Sequence, residues 1–301
     1  MELSTQKPQL TSLLPNEALA RIERLRINSL RRRTSKTRGE HFASKGGTST
    51  EFCDYRDYVE GDDTRFVDWN IFARLQRPYL KIYHQEEEMH VVILVDASSS
   101  MLFENKLQRA KQLAAAFGVM GLLNAERVSV YAVNRAEGAP QRFVPCTGRA
   151  KMRDLFAFLE GIEGGGDAPL EKEIEAMLKY HKGRGVAVIL SDFFTFGDVK
   201  RAANMVFSSG LEIMGVQILG PSEIDPQLTG DIRLVDCESD HTLDVSSAAD
   251  LLSLYQEYRG SFERQMTEIC QQRSGRFLST SAADPLEVVL FDLLRRKGWV
   301  E

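Results

Sequence analysis

VVILVDASSSM, residues 91–101, decides how this chain is read. Five apolar residues run into Asp96, and after Ala97 come three serines, Ser98, Ser99 and Ser100. A short, continuously apolar run of this kind reads as a strand buried on both faces. Its end delivers a carboxylate and several hydroxyls to the edge of a sheet. Three chemistries use such an end: a nucleophile, a phosphate cradle, or the ligands of a metal ion.

The same texture continues downstream. Helical patterns at about 105–124, 149–161, 169–181 and 197–208 alternate with RVSVYAV (127–133), VAVILSD (186–192) and LEIMGVQIL (211–219). Apolar strands separated by ordinary helices predict βαβ units, hence a doubly wound, mainly parallel α/β sheet with helices on both faces. Beyond Gly220 the pattern predicts short strands at 231–236 and 241–245, a helix over 248–273, a strand near 276–279 and a helix over 285–297. Upstream it predicts a helix over 16–30, a loop in GEHFASKGGTSTEF, and an irregular or β-rich subdomain over 52–88. The expected division is 1–87, a basic helix and tail with this small subdomain; 88–220, the α/β domain; and 221–301, an extension completing the α/β fold.

Composition narrows the function. The 301 residues carry a net charge of −5, which argues against wholesale wrapping of nucleic acid. Cys53, Cys146, Cys237 and Cys270 form no CxxC pair, as expected of reduced thiols in a cytosolic protein. MELSTQKPQL lacks a signal pattern. The apolar run from Leu113 to Leu123 falls short of the roughly 20 residues a transmembrane helix needs. These features place the protein in the cytoplasm.

In a doubly wound sheet the ligand site lies beyond the carboxyl ends of the strands, where the strand order reverses. Two strands end there on aspartate, VILVD on Asp96 and VILSD on Asp192. Asp96, Ser98 and Ser100 form D-x-S-x-S, one carboxylate and two hydroxyls, a hard oxygen set suited to Mg²⁺, Mn²⁺ or Ca²⁺. Asp192 would close the site directly or through water. The nucleophile is disfavoured, since G-x-S-x-G is absent. The phosphate cradle is disfavoured too: GGGD at 164–167 reads as a loop, and no G-x-x-x-x-G-K-[ST] occurs.

DASSS at 96–100, with Asp192 as second aspartate, resembles the metal-ion-dependent adhesion site of von Willebrand factor A domains. The upstream block DYRDYVEGDDTRFVDWNIFARLQRPYLKIYHQEEE resembles the domain of unknown function 58 family, through Tyr58, Gly61, Asp62, Asp63, Arg65, Asp68, Trp69, Ala73 and Arg74. Together the two blocks span residues about 40 to 220. The resemblance implies a von Willebrand factor A-like fold, a non-catalytic protein-binding role, and work beside a MoxR-type AAA+ ATPase or its client in maturing or remodelling protein complexes. It also implies a threonine ligand from a loop between the two aspartates. The matching region, GIEGGGDAPLEKEI, has neither threonine nor serine, and Asp167 is the substitute it offers.

Two rival readings remain. One is a Mg²⁺-dependent phosphoryl-transfer or hydrolytic enzyme using Asp96, which would need a lysine near the site; Lys106 and Lys111 follow on the next helix with no evident reason to turn back. The other is nucleic-acid binding through the basic segment 21–38, which lacks the interleaved aromatics of a stacking surface. In EGDDTRFVDW, arginine–carboxylate pairing is the expected role of Asp62, Asp63 and Asp68.

Overall fold

The computed structural model describes residues 9–29, 52–83, 89–135, 140–194, 197–227, 232–235, 242–245 and 248–301. Among these, residues 9–29 and those from Met89 onward form one compact unit, and 52–83 form a second. The loop expected in GEHFASKGGTSTEF and most of the basic segment after Ser29 lie outside the described residues.

In chain order the elements are α1 (Asn16–Ile22), β1 (Phe52–Asp57), α2 (Trp69–Leu75), β2 (Tyr79–Tyr83), β3 (His90–Asp96), α3 (Lys106–Leu123), β4 (Arg127–Val133), β5 (Gln141–Cys146), α4 (Met152–Glu160), α5 (Leu170–Tyr180), β6 (Gly185–Ser191), α6 (Val199–Ser208), β7 (Leu211–Leu219), α7 (Pro221–Ile224), β8 (Ile232–Val235), β9 (Thr242–Val245), α8 (Ala248–Gln271) and β10 (Arg276–Ser281). A last helical segment, Leu286–Arg296, contains a π-turn at Val289–Leu293.

The larger unit is the expected doubly wound sheet, in the order β10-β7-β6-β3-β4-β5. All neighbours are parallel except β5, which runs antiparallel to β4 at the edge. Strand β3 shows why its sequence is apolar without interruption. Val91, Ile93 and Val95 pack with α3 and α4 on one face, while Val92 and Leu94 pack with α5, α6 and α8 on the other. A strand covered on both faces gives no alternation to read. After β3 the chain steps to β4 on one side and returns through β6 on the other, so the crevice opens at the carboxyl end of β3.

Helix α3 lies very close to the sheet. A Cβ on Gly121 would come within 2.5 Å of Val128 Cγ2 and 3.3 Å of Val91 Cγ2.

The first helix and one strand differ from expectation. The first helix stops at Ile22 rather than continuing to residue 30: Ile27 forms a β-bridge with Val300, and Arg26 and Glu301 exchange backbone hydrogen bonds. Leu13, Leu14, Ile22 and Ile27 join the core of the sheet domain, and Arg21 stacks 3.6 Å from the Phe291 ring centre. Strand β5 had no counterpart in the predicted elements. The strand expected near 276–279 is present, as β10 at the edge of the main sheet.

In the smaller unit, β1 and β2 pair antiparallel, with a 3₁₀ turn and α2 between them. The acidic run pairs internally, as expected. Arg56 bonds Asp62 at 2.7 Å, and Arg65 holds Asp63 at 2.6 Å. These bonds from Arg56 and Arg65 hold both carboxyls below their ordinary range. Asp68 pairs with Lys81 at 3.0 Å rather than with an arginine, and also caps α2 through Asn70 N and Ile71 N.

Candidate cation-binding site

Asp96 is the last residue of β3 and 4% exposed. Its Oδ1 accepts hydrogen bonds from Ser98 N at 3.0 Å and Asn134 Nδ2 at 3.1 Å, and its Oδ2 accepts one from Ser191 Oγ at 2.6 Å. Burial pushes the Asp96 carboxyl above its ordinary pKa; the Ser191 bond opposes this, and the charge of Asp192 adds to it.

The serines curl back as D-x-S-x-S predicts. Ser98 Oγ and Ser100 Oγ are both buried and lie 3.1 Å apart. A parallel β-bridge joins Ser98 to Gly166, and Ser99 N donates to Gly166 O. Gly165 N donates to Ala97 O, and Gly166 N to Asn134 O. Glycine is required at this approach, because a Cβ on Gly166 would meet Asn134 and Arg135 backbone atoms at 2.7–2.8 Å. The GGG run is therefore a close-packing device against the Asp96 loop.

Asp192 follows β6 and is 1% exposed. Its carboxylate, expected as the second ligand, is engaged by the protein itself. Lys106 Nζ lies 2.8 Å from Oδ2, and Phe194 N donates to Oδ1 at 3.0 Å. The same ammonium lies 2.6 Å from Glu223 Oε1 on α7. Lys106 is 0% exposed. Burial works against its charge, but Asp192 and Glu223 outweigh that and hold its pKa above the ordinary lysine value. The expectation that Lys106 has no reason to turn toward the site is thus corrected: two carboxylates draw it there. The sequence carried a signal, since a lysine opening a helix opposes the positive end of the helix dipole.

Asp167 is exposed on the glycine loop. Asn134, not singled out in the sequence, bonds Asp96 directly. Asn134, at the end of β4, is 8% exposed, and its Oδ1 is buried without a hydrogen-bond partner among the described residues. Glu173, in the first turn of α5, buries Oε2 with no such partner either. Burial, and then the charge of Asp96, push the Glu173 carboxyl upward, so the two carboxylates feel each other. Among the described residues no three His, Cys, Asp or Glu side chains form a metal cluster. Around the Asp96 loop the oxygen donors are instead the Ser98 and Ser100 hydroxyls and the orphaned amide oxygen of Asn134.

The family described as "Protein of unknown function DUF58" matches residues 54–268. The uncharacterized proteins Rv1480 of Mycobacterium tuberculosis and Mb1516 of Mycobacterium bovis are each 28% identical over 206 residues, 67% of this chain. The chain spans 65% of the length of these relatives. Among solved structures, BatB from Bacteroides thetaiotaomicron is similar at TM-score 0.43 and 14% identity, covering 70% of this chain and 98% of that one. A von Willebrand factor type A protein from Catenulispora acidiphila is similar at TM-score 0.36 and 14% identity, covering 47% of this chain and 35% of that one. The fold class rests on the strand order and connections, to which these likenesses add nothing further. No helix among the described residues is long and apolar enough to cross a membrane.

Proposed function

We propose that this chain, which belongs to the DUF58 family, is a non-catalytic protein-binding module whose contact point is a divalent cation at the carboxyl end of β3. The observation that carries this reading is the buried Asp96 carboxylate beside the converged hydroxyls of Ser98 and Ser100. A carboxylate, two hydroxyls and the orphaned Asn134 oxygen fit Mg²⁺, Mn²⁺ or Ca²⁺, which take hard oxygen donors. When bound, such an ion supplies an electrophilic point that accepts an oxygen donor, for which a partner carboxylate is the expected group.

The surrounding residues position and frame this point. Ser191 and Asn134 fix the Asp96 carboxylate, and the Ser98 N–H closes the turn beneath it. Leu102 and Phe103, two and three residues after Ser100, and Phe194, two after Asp192, are large apolar side chains left exposed. Apolar contacts around a polar anchor suit a protein partner. The partner class, a MoxR-type AAA+ ATPase or its client in the cytoplasm, rests on the family resemblance alone.

The enzymatic reading is less well supported. A phosphoryl-transfer site needs a cation free to grip phosphate, and Lys106 is fully buried between two carboxylates. The test is binding of purified chain to a purified MoxR-type ATPase at fixed Mg²⁺ and nucleotide. Asp96→Ala is expected to weaken binding at least tenfold while the variant remains folded. Equal binding by wild type and variant overturns the proposal.

A further inference from the structure

The geometry points to a second docking surface, built on α2 of the smaller unit, whose partner is an acidic protein segment with apolar anchor residues. This inference stands on residues 52–83 and is independent of the cation reading.

The smaller unit is short of a core. Among its described residues the buried apolar side chains are Val67 and Leu80, which face each other across a β-bridge. Large apolar side chains stay outside: Val59, Phe66, Trp69 and Leu75 are between 49% and 61% exposed. A two-stranded hairpin with one short helix is marginal unless more apolar surface is covered.

Helical spacing places Trp69, Asn70, Ala73 and Arg74 on one face of α2, and all four are exposed. Ile71 and Phe72 turn the other way and are half-buried, with the Phe72 ring edge-on to Trp69 at 5.9 Å between centres. The helix is fixed in this orientation. Asp68 Oδ1 accepts from Asn70 N and Ile71 N, while its Oδ2 accepts from Tyr55 Oη and pairs with Lys81 on the hairpin. A rigid helix that presents tryptophan beside arginine has the composition of a protein-binding hot spot.

Charge identifies the partner. From Trp69 to Lys81 the chain carries Arg74, Arg77 and Lys81 and no acidic residue. Lys81 is held by Asp68, and Arg56 and Arg65 are held by Asp62 and Asp63. Arg74 and Arg77 are exposed and form no ion pair among the described residues. Two free guanidinium forks beside an exposed indole suit carboxylates flanked by apolar side chains. The chain as a whole carries −5, so an acidic segment is drawn to this patch against the general charge. An anionic membrane shares the chemistry, but an interfacial helix sinks a long apolar face. The seven residues of α2 keep Ile71 and Phe72 half-buried instead.

The test is titration of a labelled helical peptide, Leu on one face and Glu on the other, with purified chain, followed by anisotropy. A second peptide replaces each Glu with Gln. Wild type is expected to bind the Glu peptide more tightly than the Gln peptide, and less tightly as salt rises. Trp69→Ser should weaken binding at least about tenfold. The double variant Arg74→Glu/Arg77→Glu should remove the preference for Glu, while Arg153→Glu, an exposed site on α4, leaves it intact. Intrinsic fluorescence gives an independent readout: Trp299 is 1% exposed, so a blue shift on adding the Glu peptide reports Trp69. Equal binding of the two peptides, or wild-type affinity in Trp69→Ser or in the double variant, overturns the inference. An equal loss in Arg153→Glu overturns it as a general charge effect. No peptide binding, with Trp69 already emitting as a buried indole in the monomer, means that the chain covers this face itself. A concentration-dependent dimer that shields Trp69 assigns the face to a second copy. A larger blue shift with phosphatidylglycerol vesicles than with the peptide assigns it to a membrane. Each of these last three results also overturns the inference.

Discussion

Lys106 Nζ lies 2.8 Å from Asp192 Oδ2, and neither side chain is more than 2% exposed. The pair joins the start of α3 to the end of β6, and Glu223 extends it to α7. Removing one partner of a buried ion pair strands the other and typically costs about 3–5 kcal/mol. Lys106→Met strands Asp192 and is expected to lose stability in that range. Asp192→Asn is expected to lose less, since Glu223 still neutralises the ammonium at 2.6 Å. Urea unfolding of the two variants checks the order.

Two glycines on α3 should respond differently to alanine. At Gly121 the added methyl meets Val128 Cγ2, on a stiff β-branched side chain inside the sheet, at 2.5 Å. Overpacking of this kind costs about 1–3 kcal/mol. At Gly118 the nearest atom is Leu155 Cδ2 at 2.6 Å, the tip of a more flexible side chain. Gly118→Ala should therefore cost clearly less than Gly121→Ala in thermal unfolding.

Glu160 gives a pH dependence of known sign. Bonds from Thr11 Oγ1, then from Ser12 N and Ser12 Oγ, hold its carboxyl below the ordinary value of 4.5. A lowered folded-state pKa means stability that is present above the unfolded value and lost as pH falls through the folded one. Glu160→Gln should therefore melt below wild type at neutral pH. The gap should close on acidification below about pH 4.5. Melting curves of both proteins across that range check it.

In the hairpin unit, Asp68 Oδ1 caps α2 while Oδ2 lies 3.0 Å from Lys81. Loss of an N-cap costs about 0.5–2 kcal/mol. Asp68→Ala should accordingly lower hydrogen-exchange protection across Trp69–Leu75, with little change in the sheet of the larger unit.

Most of the sheet was legible in the sequence because its strands are covered on both faces and read as unbroken apolar runs. Strand β5 was not: an antiparallel edge strand with Pro145 and several half-exposed positions shows neither an apolar run nor clean alternation. The first helix read too long because Leu25 and Ile27 keep helical spacing, yet both are buried by the turn that brings Ile27 to Val300. At the site, Asp96 and its serines were legible because their spacing is local. Lys106 and Asn134 were not, since their directions are set by the packing of α3 and the end of β4. Asp167 drew attention as the nearest carboxylate to the missing threonine, and it is exposed on the loop.

The Mg²⁺ dependence of the melting temperature, in wild type and in Asp96→Ala, tests the central claim most directly. An ion that binds only the folded chain stabilises it by about 2.7 kcal/mol at 100 times its dissociation constant. The account predicts a rise of several degrees in wild type and none in Asp96→Ala, whatever the variant's own baseline. A wild-type melting temperature unmoved by Mg²⁺, or an equal rise in the variant, would contradict it.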